Sequence, residues 1–394
     1  MLELLLFAAL GIIVGIFFGL IPGLHPNLII LFVPLLSQLN LEPASLIAFV
    51  VALGISNTFL DFIPSMLFGA PDSDKALAVL PAHKMLMEGN GYDAIKLAVV
   101  GGIGSVIFIL LTLPLIVLII PRIFQISQPF TYALLIFIVF IMIFSETGKK
   151  KITSFACFLL AGMIGIFSSQ LPIDRTLILF PILSGMFGIS VMLFSTNQKI
   201  KIPKRKKEIH VTGRQTRRSV IFGSIGGIIS GLLPGVGSSE IASLASVDKN
   251  EKAFILTLGA ITISNAILSI LSLWLIQRSR SGVAVVLEQL VQIGFNEFIL
   301  VMAVALLVAG LSAIVTLKMA KRTLASMEKI NYANISRIVI LLIIFMTFLF
   351  TGIYGMLLLV TCTALGIFAN LSGIRRGILM GVLILPTIIF YLPF

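Results

Sequence analysis

Two short stretches hold the residues best placed for chemistry. "LIPGLHPN" at 20–27 and "LLPGVGSSE" at 232–240 each interrupt an apolar run with Pro-Gly and then supply small or polar residues. Proline cannot continue a helix interior, so each stretch ends one helix and can start another, with Asn27, Ser238 or Ser239 as the capping residue. A helix start presents free N–H groups and partial positive charge, which together bind carboxylate or phosphate. Pro22, Gly23, Leu24, His25 and Asn27, with Pro234, Gly235, Gly237, Ser238 and Ser239, are therefore the candidate contacts for an anionic solute. Two polar pairs stand inside apolar segments, Ser56-Asn57 and Ser264-Asn265. Such side chains face the interior of a helix bundle; there they bond to neighbouring helices or to a substrate or coupling cation. Asp61, one turn beyond Asn57, and Glu240, at the second break, are the candidate cation ligands. The plainer alternatives are pairing with Lys75 for Asp61 and capping of the next helix for Glu240.

These residues need helices to hold them, and composition says which kind. Hydrophobic residues make up 58% of the chain and charged residues only 11%, and apolar runs of membrane-spanning length recur throughout. The expected class is an all-α polytopic membrane protein. Its segments are read as 4–22, a short 27–40, 44–70, an amphipathic 74–90, 94–120, 129–146, 152–171 and 176–195. The second half gives 219–236, a very short 239–247, 253–277, an amphipathic 279–292, 296–317, 337–350, 353–370 and 378–394. Non-helical backbone at membrane depth survives only where protein or a wet cavity covers it, so the Pro-Gly breaks are either packed or used. They give broken helices or re-entrant hairpins. Gly11, Gly15 and Gly19, and likewise Gly223, Gly227 and Gly231, form stripes that suit close helix packing.

The most polar stretch is "KIKIPKRKKEIHVTGRQTRR" at 199–218, with nine Lys or Arg against one Glu, and it reads as a cytoplasmic linker. It divides the chain into a first repeat at 1–196, a linker at 197–218 and a second repeat at 219–394. Both halves share Gly-stripe helices ending in Pro-Gly, an "ISN" at 55–57 and 263–265, "GYDA" from Gly91 matching "GFNE" from Gly294, and "GIF" followed by "IDR" or "IRR". Counting spans from the linker puts Lys149–Lys151, Lys318, Lys321, Arg322, Lys329, Arg375 and Arg376 in the cytoplasm. The matching positions of the other half carry few basic residues, and each half holds seven segments besides its amphipathic stretch, an odd number. Both features predict two inverted-topology repeats with both termini outside.

The net charge of +12 sits in short loops beside apolar segments, which is the pattern of membrane sidedness and not of nucleic-acid binding. Two cysteines far apart in apolar runs and three histidines give neither a metal-ligand spacing nor a nucleophile with its base. An enzyme is not expected.

The residues "GLIPGLHP" at 19–26, "GLLPGVGSS" at 231–239 and "GAPDSDKALAVLPAHKMLMEGNG" at 69–91 resemble the large permease subunit of the tripartite tricarboxylate transporters, the TctA type. The resemblance implies a cation-coupled carboxylate permease that works with a small membrane subunit and an extracytoplasmic binding protein. A remoter similarity is to polyprenyl-phosphate translocases. The expected function is secondary active transport of a small organic anion, such as a di- or tricarboxylate, by alternating access in the cell membrane. Na⁺ or H⁺ is the coupling ion and no other cofactor is expected. The alternative is translocation of a lipid phosphate. A homodimer stays open.

Overall fold

The computed structural model describes residues 2–21, 36, 41–67, 79–173, 177–195, 211–232, 238, 241–242, 250–279, 281–327 and 332–392. Among them the regular structure is helical, and seven helices are long and apolar enough to cross a membrane. The first half holds α1 (Leu2–Leu20), α2 (Pro43–Leu60), α3 (Phe62–Leu67), α4 (Val79–Met87), α5 (Gly91–Ser127), α6 (Thr131–Phe144) and α7 (Lys150–Ser168). It ends with α8 (Leu179–Leu183), a π turn at Ser184–Ile189 and α9 (Ser190–Ser195). The second half holds α10 (Gly213–Leu232), α11 (Glu251–Leu275), α12 (Gly282–Leu290), α13 (Phe295–Met327), α14 (Tyr332–Leu371), a 3₁₀ turn at Arg376–Met380 and α15 (Gly381–Tyr391). Local chemistry sets several starts. Pro43 occupies the first turn of α2, Asn250 caps α11 by accepting from the Ala253 N–H at 2.8 Å, and Ser281 caps α12 from Ala284 at 3.2 Å.

Small residues bring the central helices together, because in lipid close backbone approach is the main source of packing energy. Gly11 lies on Phe49 and Ala52, Gly15 on Leu53 and Ser56, and Gly19 on Asn57 and Leu60. The second half repeats this: Gly223 on Thr257 and Ala260, Gly227 on Ile261 and Ser264, Gly231 on Asn265 and Leu268. In both stripes the partner number rises with the glycine number, so α1 runs parallel to α2, and α10 to α11. A short segment that re-entered by itself after a full crossing would have made these neighbours antiparallel; a helix and short partner that together leave on the side they entered keep them parallel, as does a partner that crosses. Ile241 lies against Gly226, so by that residue the chain has doubled back along α10.

The two halves interlock across the centre. α2 packs on α13 and α12, while α11 packs on α5 and α4. At the α5–α11 crossing Gly101 meets the carbonyl of Leu256 and Gly259 that of Ala98. Lys84 on α4 forms an ion pair with Glu251 at the start of α11, Nζ to Oε1 2.5 Å.

Outside this centre, α7 packs on α15 and α14 on the π turn. Gly165 meets the Val382 carbonyl and Gly381 that of Phe158, and the second copy matches with Gly366 on Met186 and Gly185 on Leu359. Lys150, at the start of α7, donates to the Gly373 carbonyl just past the end of α14, at 2.9 Å. Beside it the Arg375 N–H donates to Glu146 Oε1 at 2.8 Å. Basic clusters assigned to one side of the membrane thus meet in space.

The segment boundaries differ from expectation at several places: α10 starts at Gly213, inside the expected linker, and α14 at Tyr332, ahead of the expected 337. α5 runs on to Ser127 through Pro114 and Pro121, and α13 continues past the apolar span to Met327 because Lys318, Lys321 and Arg322 are good helix formers with exposed side chains. The expected break between 350 and 353 is present: α14 kinks at Gly352, whose φ of 59° and ψ of −153° suit only glycine.

Candidate substrate and ion site

α2 with α3, and α11, are the interior spans. Each has 83% of its apolar window buried, against 17% for α1, so polar groups on them face protein and not lipid. Phe59 of α2 and Ile263 of α11 both lie against Gly102 of α5. Asn57 and Asn265 therefore stand two residues from a shared crossing point, at matching places in the two copies.

The polar pairs divide into two roles. Ser56 Oγ donates to the carbonyls of Ala52 at 2.6 Å and Leu53 at 3.2 Å, and Ser264 Oγ to those of Ala260 at 2.7 Å and Ile261 at 3.1 Å. Both serines are fully buried against Gly15 and Gly227. Their donors are directed at main-chain carbonyls, mostly of their own helices, with Ser56 Oγ also 3.5 Å from the Ile12 carbonyl of α1. Asn57 is different. It is 3% exposed, and its Nδ2 is buried with no acceptor, a condition that costs about 1–3 kcal/mol. Asn265 is half-buried, with Oδ1 3.3 Å from where a Cβ on Gly231 would sit. Ser238 and Thr262 are among seven hydroxyls of the described residues that are buried without a partner, with Ser45, Ser154, Thr257, Ser312 and Thr347.

Asp61 closes α2. Its N–H donates to the Asn57 carbonyl at 2.9 Å, and its Oδ2 accepts from Ser65 Oγ at 3.2 Å. The matching Ser269 donates to Ser281 Oγ at 3.1 Å. Pro22, Gly23, Leu24, His25 and Asn27 lie outside the described residues, as do Pro234, Gly235, Gly237, Ser239 and Glu240. The helices leading to both breaks are described. α1 stops beside Leu60 and α10 beside Leu268, while α3 continues to Leu67 and α11 to Leu275, about 10 Å further at the helical rise. Both leading helices therefore stop short of their neighbours' ends.

Sequence reasoning passed over three contributors. Gly101, Gly102 and Gly104, three glycines within four residues of a span, were the available signal for the α5 crossing. Pro64, three residues after Asp61, signalled the α2–α3 junction. Thr262 gave no sign, since a threonine in an apolar helix ordinarily bonds to its own backbone.

The model of the tripartite tricarboxylate transporter TctA family matches residues 5–381. The chain belongs to that family. The match runs through both glycine stripes, both breaks and the interior spans, and it makes this a multi-pass membrane protein of a transporter family whose systems have three parts. The uncharacterized protein MJ1079 of Methanocaldococcus jannaschii is 31% identical over 401 residues, covering 98% of this chain and 99% of the relative. No solved structure matches the chain.

Proposed function

We propose that this TctA-family protein is a secondary active permease for a small organic anion of the di- or tricarboxylate class, coupled to Na⁺ or H⁺. The observation that carries this reading is the buried, unpartnered Nδ2 of Asn57 on the interior span α2. A fixed donor with no protein acceptor suits a carboxylate oxygen. Asn265, Thr262 and Ser238 add further polar groups, and Ser56 and Ser264 hold the spacing. The helix starts expected after Pro22-Gly23 and Pro234-Gly235 complete the anion site in this reading, with Glu240 beside the second. Two inverted repeats then expose it alternately. Lys150 meeting the far end of the matching α14 supports antiparallel copies. A small membrane subunit and an extracytoplasmic binding protein are the proposed partners, and the cell membrane the proposed location.

Ligand-dependent thermal stabilisation of the purified chain tests this, since a ligand that prefers the folded state raises apparent stability by mass action. Citrate or a related carboxylate should raise Tm, and Asn57→Ala should abolish the rise. A shift with polyprenyl phosphate alone would instead assign a lipid-phosphate translocase.

A further inference from the structure

We propose that the flank formed by α10, α5 and α13 is a binding surface for anionic phospholipid, whose phosphate groups lie on a rim of Lys and Arg side chains at one end of these helices. The inference goes beyond transport and does not depend on what the protein carries. It begins from three stripes. On α13, Leu307, Leu311 and Ile314 are 66%, 52% and 54% exposed, and at helical spacing the same stripe continues into Lys318, Lys321 and Arg322, all exposed. On α10 the order is reversed: exposed Arg214, Arg217 and Arg218 lead into exposed Phe222, Ile225 and Ile229. On α5, Lys96 stands ahead of Val100, Ile107 and Leu111 on one exposed face. Each group of cations therefore ends a face that touches hydrocarbon. Long basic side chains at such places lay their stems on the apolar surface and put their charge in the headgroup layer.

Contacts between the helices bring the three ends together. α5 packs on both α10 and α13, with Val220 of α10 against Gly104. Leu324, in the last turns of α13, lies against Gly91 at the start of α5. The start of α10 joins them, because Gln215 Nε2 donates to Asn250 Oδ1 at 3.3 Å, and the next residue, Glu251, pairs with Lys84 just ahead of α5. The rim thus gathers seven exposed cations.

None of the seven is paired with a described carboxylate. The other charged side chains on these three helices are Asp93, buried at this end, and Arg122 and Glu297 at the other. One end of the flank is strongly positive and the other is balanced. A row of cations at the edge of a hydrocarbon-facing surface complements the phosphodiesters of the adjoining leaflet, and the attraction adds up along the row. An acidic soluble protein would need cations that stand clear of the bilayer, whereas these continue stripes that lie within it.

The test uses the purified full-length chain in detergent micelles doped with phosphatidylglycerol or with phosphatidylcholine of the same acyl chains, with Tm as the readout. Phosphatidylglycerol should raise Tm above the level reached with phosphatidylcholine, since a lipid that binds the folded state stabilises it by mass action. Added salt should shrink the difference. Lys318→Gln, Lys321→Gln and Arg322→Gln together, or Arg214→Gln, Arg217→Gln and Arg218→Gln together, should raise the phosphatidylglycerol fraction needed for half the effect about tenfold. Arg122→Gln should leave it unchanged. Each variant's own melt in phosphatidylcholine is its reference, so a general loss of stability does not imitate the result. An equal response to the two lipids, a difference that salt leaves untouched, an unaltered titration in either triple variant, or the same loss in Arg122→Gln would overturn the proposal. So would a matching rise with soluble glycerol phosphate, which makes the rim a phosphate site without a lipid, or with polyglutamate, which assigns it to an acidic protein.

Discussion

Asn57 weakens the fold in which it sits. A buried donor without an acceptor costs about 1–3 kcal/mol, and replacing it by an apolar group of similar shape removes that cost. Asn57→Leu should therefore leave thermal stability unchanged or raised by about 1–2 kcal/mol while citrate-dependent stabilisation disappears, both read in one thermal melt. A destabilised Asn57→Leu that still responds to citrate would make Asn57 a structural residue. The four polar residues of the "ISN" copies look alike in sequence, yet they divide in the structure. Serine can close on a carbonyl of its own helix, as Ser56 and Ser264 do. Asparagine on a helix lacks that easy closure, so its partner must come from elsewhere. Residue type said only that these four were interior; the direction of each hydrogen bond was not legible.

Each pair of parallel helices is governed by its glycine stripe. Gly227 leaves no room for a side chain, since a Cβ would meet Ser264 Oγ and lie 2.6 Å from the Ile261 carbonyl. Gly227→Val should cost more than about 2 kcal/mol, as overpacking against backbone does. Gly310 in α13 has nothing within 4 Å, so Gly310→Ala should be neutral or stabilising by up to about 1 kcal/mol from helix propensity. Comparison of the two melting temperatures checks whether the stripe or glycine content as such matters. The helices themselves were legible because apolar runs of fixed length leave few alternatives in a membrane. The course of α13 to Met327 was not, because a helix of Lys, Arg, Ala and Met leaving the bilayer carries no apolar signal. The parallel direction of α1 and α2 was also hidden, since a glycine stripe fixes closeness and not polarity.

For the whole molecule, the account depends on two matched halves facing opposite ways. The contacts recur copy by copy, at Gly15 and Gly227 and at Gly165 and Gly366, and the basic loops at Lys150 and Arg375 meet at one end. A reporter fused after Phe394 should be found outside the cell, with the 199–218 linker protected from external protease; a cytoplasmic reporter would contradict the inverted arrangement. Function at this scale is a question of energy. Moving one elementary charge through 100 mV supplies about 2.3 kcal/mol, so one excess cation per cycle sustains a substrate gradient of roughly fiftyfold. The most direct measurement is uptake of radiolabelled citrate into proteoliposomes holding the purified chain, with imposed Na⁺ or pH gradients and a membrane potential. The account predicts accumulation that needs one of these ion gradients, grows with an inside-negative potential and is absent in Asn57→Leu. Uptake that ignores both gradients, or that survives the loss of Asn57, would contradict it.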